Sequence, residues 1–387
     1  MGLRPPESPP LSLYIHLPWC VRKCPYCDFN SWTMGDEPPL SRYLDALSAD
    51  LAAESRRAAG RELISIFIGG GTPSVFSPEQ IGVLLEKVDR SFALAGDIEV
   101  TMEANPGTVE CGDPAGYRAA GVNRLSLGAQ SFSPASLQAL GRIHSTADIT
   151  RSFAAARQAG FDNINLDIMY GLPGQHIPGA LQDLEAAIAL EPEHLSWYHL
   201  TLEPNTVFHA RPPRDLPDDD AVSDIQHRGQ ALLSAHGYRQ YEVSAYARDG
   251  RECRHNLNYW TFGDYLAAGA GAHGKITDAA GTWRYAKPAH PKQYIANLQS
   301  GDFEAGLRPV AGPELLFEYL LNTVRLHDDI SALDFSARTG EPAGMLRARL
   351  RQPVAAGLME STGDDSWRVT ALGRRFLNDL QAEFLPE

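Results

Sequence analysis

The feature that most constrains the fold is a repeated alternation of strand-like and helix-like segments over the first 200 residues. The segments between the strand-like runs have apolar residues at helical spacing, as in Leu40, Leu44, Leu47 and Leu51. Repeated strand–helix units predict parallel βαβ connections, with the functional residues at the carboxyl ends of the strands. Six apolar runs read as the strands: LSLYIHLP, ISIFIGG, DIEVTME, RLSLGAQ, NINLDIMYGLP and HLSWYHLTLE.

Polar or glycine-rich motifs follow several of these strands. GGGTP at 69–73 ends the second strand, and MEANPG, GAQSF and DIMYGLPGQ end the next three. Glycines permit close backbone approach, and no Gly-Lys-Ser/Thr follows that would indicate a P-loop. Because these motifs recur at one edge of the predicted sheet, we expect a single site there.

Three cysteines lie together directly after the first strand. Cys20, Cys24 and Cys27 have the spacing Cys-x3-Cys-x2-Cys, while Cys111 and Cys253 are isolated. Five cysteines are an odd number, which favours a metal site over a set of disulfides. One reading is zinc with His16 or another residue as fourth ligand. The other is a [4Fe-4S] cluster with three protein thiolates and one open iron.

The cysteine spacing resembles that of the radical S-adenosylmethionine (SAM) superfamily. The resemblance implies a partial (β/α)6 barrel in which SAM binds the open iron and is cleaved to a 5′-deoxyadenosyl radical. It also implies that the glycines lie at the methionine amino group and that polar side chains hold the SAM carboxylate and ribose. No catalytic residue is predicted. The SAM-binding candidates carried over are Tyr14, Tyr26, Gly70, Gly71, Thr72, Glu103, Gln130, Arg142 and Asp167.

Over nearly the whole chain, the motifs together resemble the oxygen-independent coproporphyrinogen III oxidase family. True oxidases of that family have a fourth cysteine two residues after the third and a longer N-terminal extension. Here Phe29 occupies that position and only 19 residues precede Cys20. Both departures argue against decarboxylase activity and match the oxidase-like branch of HemW heme chaperones. Whether the chain is an enzyme stays open.

The segment HNLNYW, His255 to Trp260, resembles the His-Asn-x-x-Tyr-Trp motif to which heme binding is attributed in that branch. An imidazole is a common axial ligand of heme iron, so His255 is the candidate ligand and His273 a second one. A histidine beside aromatic residues is also a common feature of an ordinary core. Tyr259 and Trp260 offer flat apolar surface for a porphyrin.

The resemblance implies a heme chaperone that passes heme to respiratory acceptor proteins. The alternatives are a coproporphyrinogen III oxidase and a radical SAM enzyme with an unrelated substrate. A flavodoxin or ferredoxin would be the electron donor, and a homodimer and a peripheral membrane contact are both compatible with the family. The formal net charge of −14 argues against nucleic acid as a partner. No apolar run reaches the roughly 18 residues of a membrane span, which predicts a cytoplasmic protein.

The predicted organisation has three parts. Residues 1–210 form the radical SAM partial barrel with the cluster site, and 211–310 form a connecting region with the heme motif. Residues 311–387 form a smaller, mainly helical C-terminal domain in which two helices, a hairpin and a last helix resemble a winged helix.

Overall fold

The computed structural model describes residues 8–107 and 113–386, so Cys111 lies outside the described residues. No helix in these ranges is both long and apolar enough to cross a bilayer.

The six predicted strands are all present, each followed by at least one helix. The capping box at Ser77, where the Ser77 and Gln80 side chains bond each other's backbone amides, begins the helix after the second of them. A 3₁₀ helix at Pro73–Val75 precedes it. The elements of this part are β1 (Leu11–Leu17), β2 (Trp19–Cys20), β3 (Trp32–Thr33), α1 (Leu40–Ala58), β4 (Glu62–Gly70), α2 (Pro78–Ser91), β5 (Ala93–Ala104), α3 (Pro114–Ala119), β6 (Arg124–Gln130), α4 (Pro134–Ala139), α5 (Thr146–Gln158), β7 (Ile164–Tyr170), α6 (Ile177–Ile188) and β8 (His194–His199).

The middle of the chain extends the same sheet at both edges. Its elements are α7 (Val207–Ala210), α8 (Asp219–Ala235), β9 (Arg239–Gln240), β10 (Ala245–Ala247), α9 (Arg254–Trp260), β11 (Asp264–Ala268), β12 (His273–Asp278), β13 (Gly281–Ala286), α10 (Pro291–Ala296) and β14 (Ala305–Val310). The sheet order is β14-β13-β12-β11-β1-β4-β5-β6-β7-β8-β10-β9. Strands β1, β4–β8 and β11 run parallel, and the outer strands are antiparallel. Among the described residues the two ends of the sheet, β14 and β9, do not pair, and each of the six predicted strands is followed by a helix. The predicted partial (β/α)6 barrel is confirmed.

The two faces of the parallel strands differ in polarity. Apolar side chains such as Leu13, Val100 and Leu166 point outward and form the main core with the surrounding helices. The alternate positions point inward and are largely polar: Ser12, Ser65, Glu99, Thr101, Arg124, Ser126, Asn165, Asp167, His194 and Ser196. A β-strand has this period-two alternation when its faces meet different environments. The barrel therefore encloses a polar interior rather than layers of aliphatic side chains.

The C-terminal part has its own apolar cluster, which includes Leu316, Phe335 and Leu350. Its elements are α11 (Gly312–Thr323), β15 (Ile330–Ser331), α12 (Ala332–Thr339), α13 (Ala343–Ala355), β16 (Met359–Gly363), β17 (Ser366–Val369), α14 (Ala371–Arg375) and α15 (Leu377–Ala382). The predicted last helix is wrong as one element, because Phe376, with φ −113° and ψ 44°, interrupts it. The hairpin is present, with β15 as a third strand.

The three-part division stays a proposal. The sheet qualifies it, because strands from 239 to 310 pair with both edges of the barrel sheet. Residues 211–310 thus contribute strands to the sheet of the barrel.

Candidate functional site

A cavity of about 430 Å³ opens at the carboxyl ends of the parallel strands. Its wall brings together residues that are far apart in the sequence. Of the predicted site residues it includes Cys20, Cys24, Cys27, Tyr26, Gly70, Gly71, Thr72, Glu103, Gln130, Arg142 and Asp167. The cavity wall does not include Tyr14, His255 or His273.

The three thiols lie on one wall of the cavity and are not joined in disulfides. Cys20 ends β2, and Cys24 and Cys27 occupy the following turn, in which the Cys27 amide donates to the Cys24 carbonyl at 3.2 Å. Burial raises the pKa of the Cys20 thiol to about 11 and raises the pKa of Cys27 as well. A bound metal would displace these protons, since thiolates are the metal-binding form.

No three His, Cys, Asp or Glu side chains within residues 8–107 and 113–386 converge on a point that could hold one metal ion. His16, the suggested fourth zinc ligand, already uses both ring nitrogens. Its Nδ1 lies 3.0 Å from the Tyr14 hydroxyl and its Nε2 lies 2.8 Å from the Asn30 carbonyl. The Tyr14 side chain points to His16 and does not line the cavity.

The glycines of GGGTP allow the end of β4 to pack closely against β1 and β2. A Cβ on Gly70, which has φ +117°, would lie 2.5 Å from the His16 ring. A Cβ on Gly71 would lie 2.5 Å from the Trp19 carbonyl oxygen. The glycines are thus needed where the end of β4 packs against β1 and β2, and this packing leaves their backbone on the cavity wall.

The floor of the cavity carries two carboxyl groups. Glu103 accepts from the Gly70 amide at 3.1 Å, and burial, together with the charge of Asp167, raises the pKa of Glu103 to about 7. Asp167 accepts from Asn165 at 2.9 Å and from Ser126 at 3.0 Å. Burial also raises the pKa of Asp167, against the effect of these hydrogen bonds. A cation bound here would be favoured by both groups.

A guanidinium faces the thiols from the opposite side. Arg142, in the loop after α4, donates to Asn105 Oδ1 at 2.6 Å and to the Gly128 carbonyl at 3.0 Å, and its Nη1 lies 3.4 Å from Cys24 Sγ. Asn105 also donates to Thr72 Oγ1 at 3.0 Å. This network connects the ends of β4, β5 and β6 and places a positive charge beside Cys24.

Sequence reasoning missed several cavity residues. Asn105, Ser126, Gly128, Ser196, Tyr198 and Ser244 also line the wall, and Tyr198 donates to Gln130 Oε1 at 2.7 Å. Gln130 itself has φ +69°, which is unusual for a residue other than glycine. Asn105 is inside the MEANPG motif, and Ser126 and Ser196 are at inward positions of RLSLGAQ and HLSWYHLTLE. A period-two reading of these strands could have identified Ser126 and Ser196, whereas Ser244 lies between β9 and β10 and has no such signal.

The HNLNYW segment forms helix α9, which packs outside the cavity. His255 is 1% exposed, with Nδ1 at 3.0 Å from Ser65 Oγ and Nε2 at 2.8 Å from the Tyr259 hydroxyl. Burial, with a smaller effect of Arg124, lowers the pKa of His255 to about 3, so the ring is neutral. Trp260 lies under the Arg325 guanidinium at 4.2 Å. In this conformation His255 therefore has no free nitrogen for a metal, and the Arg325 guanidinium covers one part of the half-buried Trp260 ring.

His273, the second candidate ligand, is exposed at the start of β12. Among the described residues no hydrogen bond joins His273 to α9, so the two candidate ligands are not brought together as a pair.

Comparison with protein families identifies the barrel. Residues 14–187 match the model described as the radical SAM superfamily. A solved structure described as coproporphyrinogen III oxidase (HemN), a radical SAM enzyme from Escherichia coli, aligns with a TM-score of 0.82 at 24% identity, over 97% of this chain and 90% of that one. At this identity the likeness concerns the fold.

Curated relatives match the chain end to end. Heme chaperone HemW of Escherichia coli (strain K12) is 48% identical over 382 residues, covering 98% of this chain and 100% of the relative. Heme chaperone HemW of Bacillus subtilis (strain 168) is 34% identical, covering 97% and 99%.

Proposed function

Because the chain belongs to the HemW family of heme chaperones, we propose that it binds heme and transfers it to acceptor proteins. The observation that carries this proposal is relatedness over the full length, at 48% identity to a protein with that name. The family also implies a [4Fe-4S] cluster and SAM as cofactors.

The cavity fits these cofactors by its chemistry. Cys20, Cys24 and Cys27 would hold the cluster, since three unbridged thiols lie on one wall. Arg142 would hold the SAM carboxylate, and Glu103 and Asp167 would hold its ammonium and ribose groups. When bound, a cluster of this kind supplies an electron to the SAM sulfonium. The residues of the chain bind and orient these cofactors, and they exclude water from the site.

The alternative, a coproporphyrinogen III oxidase, is not favoured. The chain is 24% identical to the solved oxidase but 34–48% identical to the heme chaperones named above. Phe29 stands where the oxidases have a fourth cysteine, and 60% of its surface is exposed near the cavity.

We keep His255 as the proposed heme ligand, with one condition. Both ring nitrogens are hydrogen-bonded in the closed helix, so the Tyr259 hydroxyl must leave Nε2 before iron can bind. Ligation would therefore require α9 to open, at least over the turn that joins His255 to Tyr259. The proposed heme site is thus a second conformation of α9.

Hemin titration of anaerobically reconstituted protein, followed by the Soret absorbance, tests the proposal. The wild type should bind roughly one heme per chain, and His255→Ala should bind more weakly or with a changed Soret band. His227→Ala is the matched control, because His227 is an exposed histidine on α8.

A variant lacking Cys20, Cys24 and Cys27 should still bind heme. If His255→Ala leaves affinity and spectrum unchanged, His255 is not the ligand and His273 is the next residue to test.

A parallel assay tests the alternative. The same protein, incubated anaerobically with SAM, reductant and coproporphyrinogen III, should form no protoporphyrinogen. Sustained product formation would contradict the chaperone proposal.

Respiratory acceptor proteins and an electron donor of flavodoxin or ferredoxin type are part of the proposal, as are a homodimer and a peripheral membrane contact. Placement in the cytoplasm also stays a prediction.

A further inference from the structure

A continuous path of hydrogen bonds runs from the cavity floor into the barrel interior. Asp167, on the cavity wall, accepts from Asn165 Nδ2 at 2.9 Å. Asn165 Oδ1 lies 2.6 Å from His194 Nδ1, and His194 Nε2 lies 2.8 Å from the Tyr241 hydroxyl. The hydroxyl also lies 3.3 Å from the Cys253 amide nitrogen.

The chemistry of the groups assigns a direction to every bond of this path. Because Asn165 Oδ1 can only accept, His194 must carry its proton on Nδ1. Burial lowers the pKa of His194 well below its usual value, so Nε2 is an acceptor, and the Tyr241 hydroxyl donates to it. The same hydroxyl accepts from the Cys253 N–H. Within the path each hydrogen bond thus has a fixed direction, and Ser126 and Ser196 are additional partners of Asn165, at 2.8 and 3.1 Å.

The path ends at Cys253, the residue that precedes the heme-motif helix α9. Cys253 is the N-cap residue of α9, and its side chain forms no capping hydrogen bond with the helix. Glu99 accepts from the amides of Arg254 and His255, both at 3.2 Å, and from Cys253 Sγ at 3.6 Å. Tyr241 and Glu99 therefore both hold the N-terminus of α9 against the barrel interior.

The members of the path are buried, which makes its hydrogen bonds expensive to lose. Asn165 is 2% exposed, His194 1% and Tyr241 3%. A buried donor or acceptor that loses its partner destabilises the conformation in which it is buried. A change at one end of such a chain also alters the strength of the next bond, because linked hydrogen bonds polarise one another.

We propose that Asn165, His194 and Tyr241 are positioning residues that couple the cofactor cavity to the opening of α9. When a ligand donates to the Asp167 carboxylate, the hydrogen bond from Asn165 to that carboxylate weakens. The series of hydrogen bonds that ends at Cys253 weakens with it. SAM in the cavity therefore favours the open helix and tightens heme binding. By reciprocity, heme tightens SAM binding by the same factor. The inference rests on the proposed function only in taking α9 as the heme site.

Hemin titration of anaerobically reconstituted, unreduced protein, with and without saturating SAM, measures the coupling. In the wild type, SAM should raise hemin affinity by at least about fivefold. In Tyr241→Phe, which removes only the hydroxyl, the factor should fall to about one. Tyr238→Phe is the matched control, since this buried tyrosine donates to the Pro192 carbonyl outside the path, and should keep the wild-type factor.

Hydrogen–deuterium exchange of the α9 amides separates failure of the inference from failure of the proposed function. SAM should accelerate exchange over Arg254–Trp260 in the wild type and in Tyr238→Phe, but not in Tyr241→Phe. If the wild type binds no hemin, the proposed function fails and this exchange still tests the coupling. The inference is overturned if SAM leaves α9 exchange unchanged in the wild type, slows it, or acts equally in Tyr241→Phe.

Discussion

Glu103 is the residue on the cavity floor whose protonation state is set by its surroundings near neutral pH. Burial and the neighbouring Asp167 raise its pKa to about 7, and the Gly70 amide opposes that rise. Since the pKa of Glu103 in the folded protein is above the ordinary glutamate value of 4.5, the protonated carboxyl favours folding. This contribution is complete below the unfolded pKa and is lost as pH rises through about 7.

SAM carries a net positive charge, so its binding should lower the pKa of Glu103 and release a proton. At pH 7 we expect roughly half a proton released per SAM bound to reconstituted protein. SAM affinity should weaken as pH falls from about 8 to about 6. Calorimetry in buffers of different ionisation enthalpy measures the proton count. Glu103→Gln should abolish the proton release. Equal proton release in the wild type and Glu103→Gln would exclude Glu103 as the source of the proton.

The three cavity thiols should act together in binding the cluster. Replacing Cys20, Cys24 or Cys27 with Ala should abolish the brown absorbance and lower the iron content after anaerobic reconstitution. Cys253→Ala is the control inside the described residues, because Cys253 is buried beside Glu99 and away from the cavity wall. Cys111→Ala should also retain the cluster. Loss of iron in Cys253→Ala at unchanged stability would contradict this assignment.

His255 should contribute to stability whether or not it binds heme. Its ring is buried between Phe67 and Tyr259 and bonds at both nitrogens. Replacing it with Ala removes packing and leaves two hydroxyls without this partner, so unfolding should cost about 2–4 kcal/mol less. Denaturant unfolding measures the difference, and exposed His227→Ala should change stability by about 0.5 kcal/mol or less. Equal stabilities of the two variants would contradict the closed α9 described above.

At the scale of elements, helices pack on the barrel through positions where only glycine fits. A Cβ on Gly229 of α8 would lie 2.0 Å from the Trp197 ring of β8. Gly82 of α2 offers the contrast, since its Cβ would lie 3.6 Å from Ala120 Cβ, an ordinary contact.

Alanine at these two glycines should have opposite effects. Gly229→Ala should destabilise by about 2 kcal/mol or more, because Trp197 is buried and α8 must move. Gly82→Ala should stabilise by up to about 1 kcal/mol through helix propensity. Thermal or denaturant unfolding of both variants measures this, and destabilisation by both would show that α2 is packed as tightly as α8.

The six strands and the cysteine loop were predictable because period and spacing are local properties of the sequence. Strand β11 was missed, since its residues Asp264–Ala268 lie in an alanine- and glycine-rich stretch without clear periodicity. It is a strand because it pairs with β1, a partner about 250 residues away, and no local pattern encodes that pairing. The break at Phe376 in the last helix has a similar origin, because apolar spacing continued through it.

At the scale of the molecule, the C-terminal part is joined to the barrel beside the heme motif. Arg325 stacks on Trp260 at 4.2 Å and pairs with Glu242 at 3.0 Å. The His327 amide donates to the Tyr241 carbonyl at 3.2 Å. The burial of His255 and the cover over Trp260 could not be predicted from the sequence, because they depend on these contacts between distant segments. The motif alone indicated a ligand, whereas the fold reveals a closed helix.

The electron paramagnetic resonance spectrum of the reduced, reconstituted protein, with and without SAM, tests the cofactor site most directly. We predict one [4Fe-4S] cluster per chain whose signal changes when SAM binds. Arg142→Ala should retain the cluster but require more SAM for the same change, because the guanidinium lies on the cavity wall beside Cys24. A signal indifferent to SAM, or zinc at one equivalent in iron-free protein that still binds heme, would contradict this prediction.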